Sequence, residues 1–134
     1  MPRFIKDSAL IKSQFLPAAG AAAAVTPGID LGTAVPFPSN ELFSVKLSIP
    51  ATATLVSGKS ITISFEHSVD NINFLAIPEL DTLVVTGIEG NTSAAVERNV
   101  MLPPAIKQYI RASASVETGG GNSTGTEFTM ELLF

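Results

Sequence analysis

The sequence predicts an all-β chain, a sandwich or barrel of short antiparallel strands. Two observations carry that reading. The first is a period of two in four stretches: Phe43, Val45, Leu47 and Ile49 alternate with Ser44, Lys46 and Ser48, and the pattern recurs at Ile61, Ile63 and Phe65, at Gln108 to Val116, and at Phe128, Met130, Leu132 and Phe134. Side chains of a pleated strand point alternately to opposite faces, so such runs are half-buried strands. The second is punctuation. Pro50, Ser57-Gly58, Asp70-Asn71, Pro78, Gly87 with Gly90, Pro103-Pro104 and Gly119-Gly120-Gly121 fall between the runs, and turn signals at roughly 8 to 15 residue spacing mark sandwiches and barrels.

Taken in order, residues 1–20 read as an extended or docked arm, because Phe4, Ile5, Leu10, Ile11, Phe15 and Leu16 are scattered without sustained period. Residues 21–134 form the single domain. Ala21 to Val25 fits a helical turn or a strand, Thr26-Pro27-Gly28 is a turn, and Ile29 to Leu31 begins the sheet. Pro36 and Pro38 flank Phe37 and lack amide donors, which makes that segment a crossing loop. Strands follow near 41–49, 59–67, 73–77, 82–86, 93–102, 108–117 and 126–133, with one or two more from 21–33. No long stretch carries a helical period with caps; Pro103 to Lys107 suits one helical turn with proline at its start. Residues 119–125 hold four glycines among small and polar residues, so they read as a flexible, exposed hairpin connection.

The 134 residues suffice for one domain with one core. With 46% hydrophobic and 15% charged residues, the surface is low in charge and disorder throughout is excluded. The net charge of −4 is uneven: residues 1–12 carry +3 − 1 = +2, and residues 13–134 carry +5 − 11 = −6. A duplex-binding domain would carry a basic stripe, so nucleic acid is disfavoured and an acidic protein neighbour suits the arm. There is no cysteine, hence no disulfide, thiolate nucleophile or sulfur metal ligand. Leu16 to Val25 is broken by Pro17 and far short of the ~20 residues a bilayer span needs, so no membrane partner is expected. Asp7, Ser8, Lys12, Ser13 and Gln14 interrupt the apolar core a secretory signal requires.

Residue types that do chemistry are present but not arranged for it. His67 is the sole histidine and continues the Ile61, Ile63, Phe65 face, which fits a strand-end side chain better than a metal ligand or base. No serine sits in a nucleophile elbow. Asp70-Asn71-Ile72-Asn73 offers oxygen ligands, yet the sixth-position glycine and twelfth-position glutamate of a calcium loop are missing, and a tight turn is the expected role. Asp70, Glu79 and Asp81 lie in turn-rich segments as solvated carboxylates. Gly87, Gly90 and the triple glycine precede no helix and therefore cradle no phosphate. With eight Phe, one Tyr and no Trp, the aromatics are core rather than a sugar platform. No cofactor or metal is expected, and the chain does not read as an enzyme.

Several pieces in order resemble a known pattern: Ile29-Asp30-Leu31-Gly32, then Ser68-Val69-Asp70-Asn71-Ile72-Asn73-Phe74, Leu102-Pro103-Pro104, Tyr109-Ile110-Arg111, and Thr124-Gly125-Thr126 before the last strand. Over roughly residues 21–134 the chain resembles the capsid cement (decoration, head-stabilising) proteins of short-tailed bacteriophages. The Ala-rich segment before Thr26 and the double proline at 103–104 depart from the usual pattern. The resemblance implies a jelly-roll-like antiparallel β-sandwich of about 8 strands, without catalysis. It also implies a virion protein made in the host cytoplasm that binds the capsid exterior at junctions between major capsid protein subunits. Self-association is expected, with a dimer favoured over a trimer. On this reading Phe4, Ile5, Phe15 and Leu16 anchor in pockets of the shell and Arg3, Lys6 and Lys12 pair with acidic groups at the rim; the equal alternative is that these residues cover the domain's own sheet edge. The competing role is a binding module, either a phage tail or baseplate component or a carbohydrate-binding β-sandwich.

Overall fold

A computed structural model of the chain describes residues 11–31, 44–77, 80, 82–102 and 106–133. Among them are ten strands and no helix: β1 (Ile11–Phe15), β2 (Ala24–Val25), β3 (Ile29–Asp30), β4 (Ser44–Ile49), β5 (Ser60–Ser68), β6 (Leu75–Ala76), β7 (Leu83–Thr86), β8 (Val96–Met101), β9 (Tyr109–Val116) and β10 (Glu127–Leu133). The crossing loop expected around Pro36 to Pro38 and the helical turn expected from Pro103 involve residues outside the described set.

The strands build two antiparallel sheets. Sheet A has the order β1-β10-β4-β8; sheet B has β2-β9-β5-β6, with β3 also on β9 and β7 also on β5. Alternation decides which side faces inward. In β4, Val45, Leu47 and Ile49 are buried between half-buried Ser44, Lys46 and Ser48. In β10, Phe128, Met130 and Leu132 are buried, and in β9 Ile110, Ala112, Ala114 and Val116 are. These rows meet those of β5 and β7, Ile61, Ile63, Phe65, Leu83 and Val85, in one continuous core closed at its ends by Leu16, Leu55, Ile77, Leu102 and Ile106. The fold is therefore a two-sheet sandwich, held by burial of both inner faces.

Two of the strand positions are interrupted. Val25 pairs with Ser113 but Ile29 pairs with Ile110, so Thr26 to Gly28 stand opposite only Ala112 and Arg111. Pro27 supplies no amide for the ladder, and the extra residue forms a bulge. Thr26 bridges it: its amide donates to the Ala112 carbonyl at 2.9 Å, and its hydroxyl accepts from the Ala112 amide at 3.0 Å. Likewise β6 and β7 lie on one strand, β5, in registers four residues apart. Ten strands thus occupy eight positions.

Of the segment expected as an extended or docked arm, the part from Ile11 is docked as sheet: β1 pairs with β10 along its whole length, from Ile11 opposite Glu131 to Phe15 opposite Glu127, and so covers the edge of β10. One expectation is corrected: the glycine loop is not a free tip. Gly120 is buried and accepts from the Val56 amide at 3.0 Å; Ser123 is 1% exposed and shares a 3.0 Å hydroxyl hydrogen bond with Thr54. Gly121 has φ of +90°, and a Cβ there would stand 2.5 Å from the Thr54 carbonyl oxygen. Its glycine is required by close approach of two backbones, not by freedom of motion.

Candidate interaction surfaces

Of the candidate anchors, Arg3, Phe4, Ile5 and Lys6 lie outside the described residues, and the other three are separated by the strand that carries them. Lys12 stands opposite Met130, so it shares the inner face of sheet A at its margin. Phe15 stands opposite Glu127 on the outer face and is 52% exposed. Leu16, 2% exposed, belongs to the core, and its amide donates to the Thr126 carbonyl at 2.9 Å. Leu16 therefore closes this domain, and Lys12 and Phe15 point to opposite sides of one sheet.

Lys12 has a counterpart on the far edge of sheet A. Arg98 in β8 stands opposite Leu47, again on the inner face, and its Nη1 donates to the Thr82 carbonyl at 3.1 Å, just before β7. Both edge strands thus carry an inward-pointing cation, and a further strand added at either edge would bury it. This device blocks edge-to-edge pairing. Replacing Lys12 and Arg98 together with valine is expected to raise the apparent mass, relative to the wild type at equal concentration, in sedimentation velocity. An unchanged distribution would show that these charges do not guard the edges.

Besides these guarded edges of sheet A, the sandwich offers its sheet faces and ends for contact. The outer face of sheet A sets Glu131 opposite Lys46, which pairs with Glu97 at 3.4 Å. A shallow open depression runs beside Ser48 between Glu97 and Glu127. The outer face of β5 and β9 is a ladder of cross-strand pairs: Thr62 with Ser115, Ser64 with Ser113, Glu66 with Arg111. Its charged pair is braced by an aromatic ring. Arg111 Nε donates to Glu66 Oε1 at 2.7 Å, and the guanidinium carbon lies 3.9 Å from the centre of the Phe74 ring.

Phe74 reaches that position because the turn from Ser68 to Phe74 is locked. The Asp70 carboxylate accepts from the Ile72 and Asn73 amides at 2.9 Å each, from the Ser68 hydroxyl at 2.7 Å and from Asn73 Nδ2 at 3.0 Å. The Ser68 hydroxyl in turn accepts from the Asp70 and Asn71 amides, and Asn71 takes φ of +61°. The turn packs on the bulge in sheet B so closely that a Cβ on Gly28 would lie 2.3 Å from Asn71 Oδ1 and 3.4 Å from the Phe74 ring. Around this end Val69, Ile72 and Leu75 are 59%, 78% and 63% exposed. The oxygen-rich segment is thus a turn, as its sequence suggests.

The amides of Asn73 and Ile72 and the Ser68 hydroxyl hold the Asp70 carboxyl well below its ordinary value of 3.8. A carboxyl depressed in the folded state contributes stability above its unfolded pKa and loses it as the pH falls through the folded value. Asp70→Ala is accordingly expected to lower the melting temperature at pH 7, with the gap from the wild type shrinking below pH about 4. A gap independent of pH would contradict this.

His67, half-buried at the end of β5, accepts from the Lys107 amide through Nδ1 at 3.3 Å. Among the described residues no three His, Asp or Glu side chains group as metal ligands; Glu79 and Asp81 lie outside that set. Sequence reasoning passed over Arg111 as a functional group. Its placement in an outward position of β9 beside Glu66 of β5 was implicit in the two alternating runs, but the register pairing them was not. No protein-family model matches the chain, and no curated protein matches it.

Proposed function

We propose that the protein is a structural virion protein, a capsid cement that binds the outside of a short-tailed phage head at junctions between major capsid subunits and stabilises it. One observation supports the reading: among the described residues, the groups singled out in the sequence as candidates for chemistry are engaged in holding the fold. Asp70 ties a turn, the glycine loop is laced to the Thr54 to Val56 segment, and His67 binds the backbone of a neighbouring loop. What such a body offers is stiff, low-charge surface. With each interrupted strand counted once, the eight positions run 1-8-3-6 in sheet A and 2-7-4-5 in sheet B, an interleaving that suits the jelly roll, an architecture used by capsid and lectin domains alike.

A rigid plug touching two subunits adds contacts that must break before they part, and repeated copies let small interfaces suffice. Self-association about a symmetry axis would multiply that effect. Purified protein mixed with purified heads of the encoding phage is expected to pellet with them at saturating stoichiometry. Failure to pellet, together with a rise in melting temperature on adding a sugar, would instead support a carbohydrate-binding module, because a ligand selective for the folded state stabilises it.

A further inference from the structure

We propose that Arg111 is the centre of a carboxylate-binding site, its Nη1 and Nη2 groups donating to an acidic side chain of a protein partner. The guanidinium is fixed on two sides: Nε is held by Glu66 and one face lies on Phe74. Phe74 is itself held by the Asp70 turn and its close packing against Gly28. Nothing among the described residues accepts a hydrogen bond from Nη1 or Nη2, and the Arg111 side chain is 24% exposed. The guanidinium is therefore held in one orientation with Nη1 and Nη2 left to donate. Such a fork matches a carboxylate with two parallel hydrogen bonds, and the side-chain ordering that binding normally costs has been met by the fold.

The surroundings select the ligand. Glu66 cancels the charge of Arg111, so the site has little pull on a free dianion such as phosphate and suits a single carboxylate delivered by a surface that also covers Phe74 and the exposed Ile72. Ser64 and Ser113 are the next cross-strand pair on this face, so the surface beside the Glu66 and Arg111 pair carries two small hydroxyl side chains. An arginine stacked on an aromatic ring at the centre of a contact is a frequent hot spot. The inference rests on the proposed function in one respect, that the partner is the capsid subunit.

Two arms separate the two ideas. Arg111→Lys keeps the positive charge beside Glu66 but has no fork; a purely structural ion pair is rescued by lysine, whereas carboxylate recognition is not. Its affinity for purified heads is expected to fall about tenfold with an unchanged circular dichroism spectrum. Independently, sodium acetate titrated against sodium chloride at matched ionic strength is expected to shift the Arg111 Nε–H resonance saturably, and to do so at several-fold lower concentration in Glu66→Gln, which keeps an acceptor for Nε while removing the competing charge. Unchanged head binding by Arg111→Lys, or identical shifts with acetate and chloride, would overturn the site. If the wild type ignores heads altogether, the capsid reading falls and the acetate titration alone decides the site.

Discussion

Phe128→Ala is expected to cost about 3–5 kcal/mol of folding stability, a large share of the roughly 5–15 kcal/mol that holds a domain folded. Among the described residues Phe128 is the largest fully buried side chain, and it lies on the inner face of β10, the strand between β1 and β4. The sheets around it are tied by ladders on both sides, Gln14 opposite Phe128 and Leu47 opposite Met130 among them. That framework cannot close over the missing ring, so the transfer term and the cavity term add. Urea unfolding followed by circular dichroism measures the loss. A cost near 1 kcal/mol would mean that the sheets slide to fill the space.

The second large effect separates two truncations. Removing residues 1–10 keeps β1, every rung of its ladder to β10, and Leu16, so this variant is the reference for the longer truncation. Removing residues 1–16 takes away β1 and Leu16, strips one side of β10 of its partner and uncovers the end of the core. That loss is expected to exceed about 3 kcal/mol and to expose an unguarded strand, with aggregation following. Differential scanning calorimetry on both variants checks it. The distinction matters for function: the shorter truncation removes Arg3, Phe4, Ile5 and Lys6 while keeping β1, so that variant reports on whether they grip a shell. Equal melting temperatures for the two would contradict the assignment of β1 to the core structure.

Strands β4, β5, β9 and β10 were legible because their inner rows are apolar and their outer rows mostly polar, as in Val45, Leu47 and Ile49 against Ser44, Lys46 and Ser48. The signal failed where that polarity is inverted. In β1 the inner positions are Lys12 and Gln14 and the outer ones Ile11, Ser13 and Phe15, so an edge-guarding lysine made a strand resemble an arm. The splitting of β2 from β3 could be anticipated from Pro27-Gly28, whereas the four-residue jump between β6 and β7 depends on which strand they share. The glycine loop misled for a different reason. Composition registers freedom of the backbone, and close approach of another backbone demands the same residue, as Gly121 against Thr54 illustrates. Arg111 was invisible as a site because its character comes from three chain segments, Glu66, Phe74 and Gly28, meeting across the outer face of sheet B.

The most direct test of the central claim is mechanical. Phage heads lacking this protein should release their DNA at a lower temperature than heads to which the purified chain has been added back, and the release temperature should rise with occupancy until the sites are full. Heads that bind no protein, or that bind it to saturation and release DNA at an unchanged temperature, would contradict the reading of this chain as a cement.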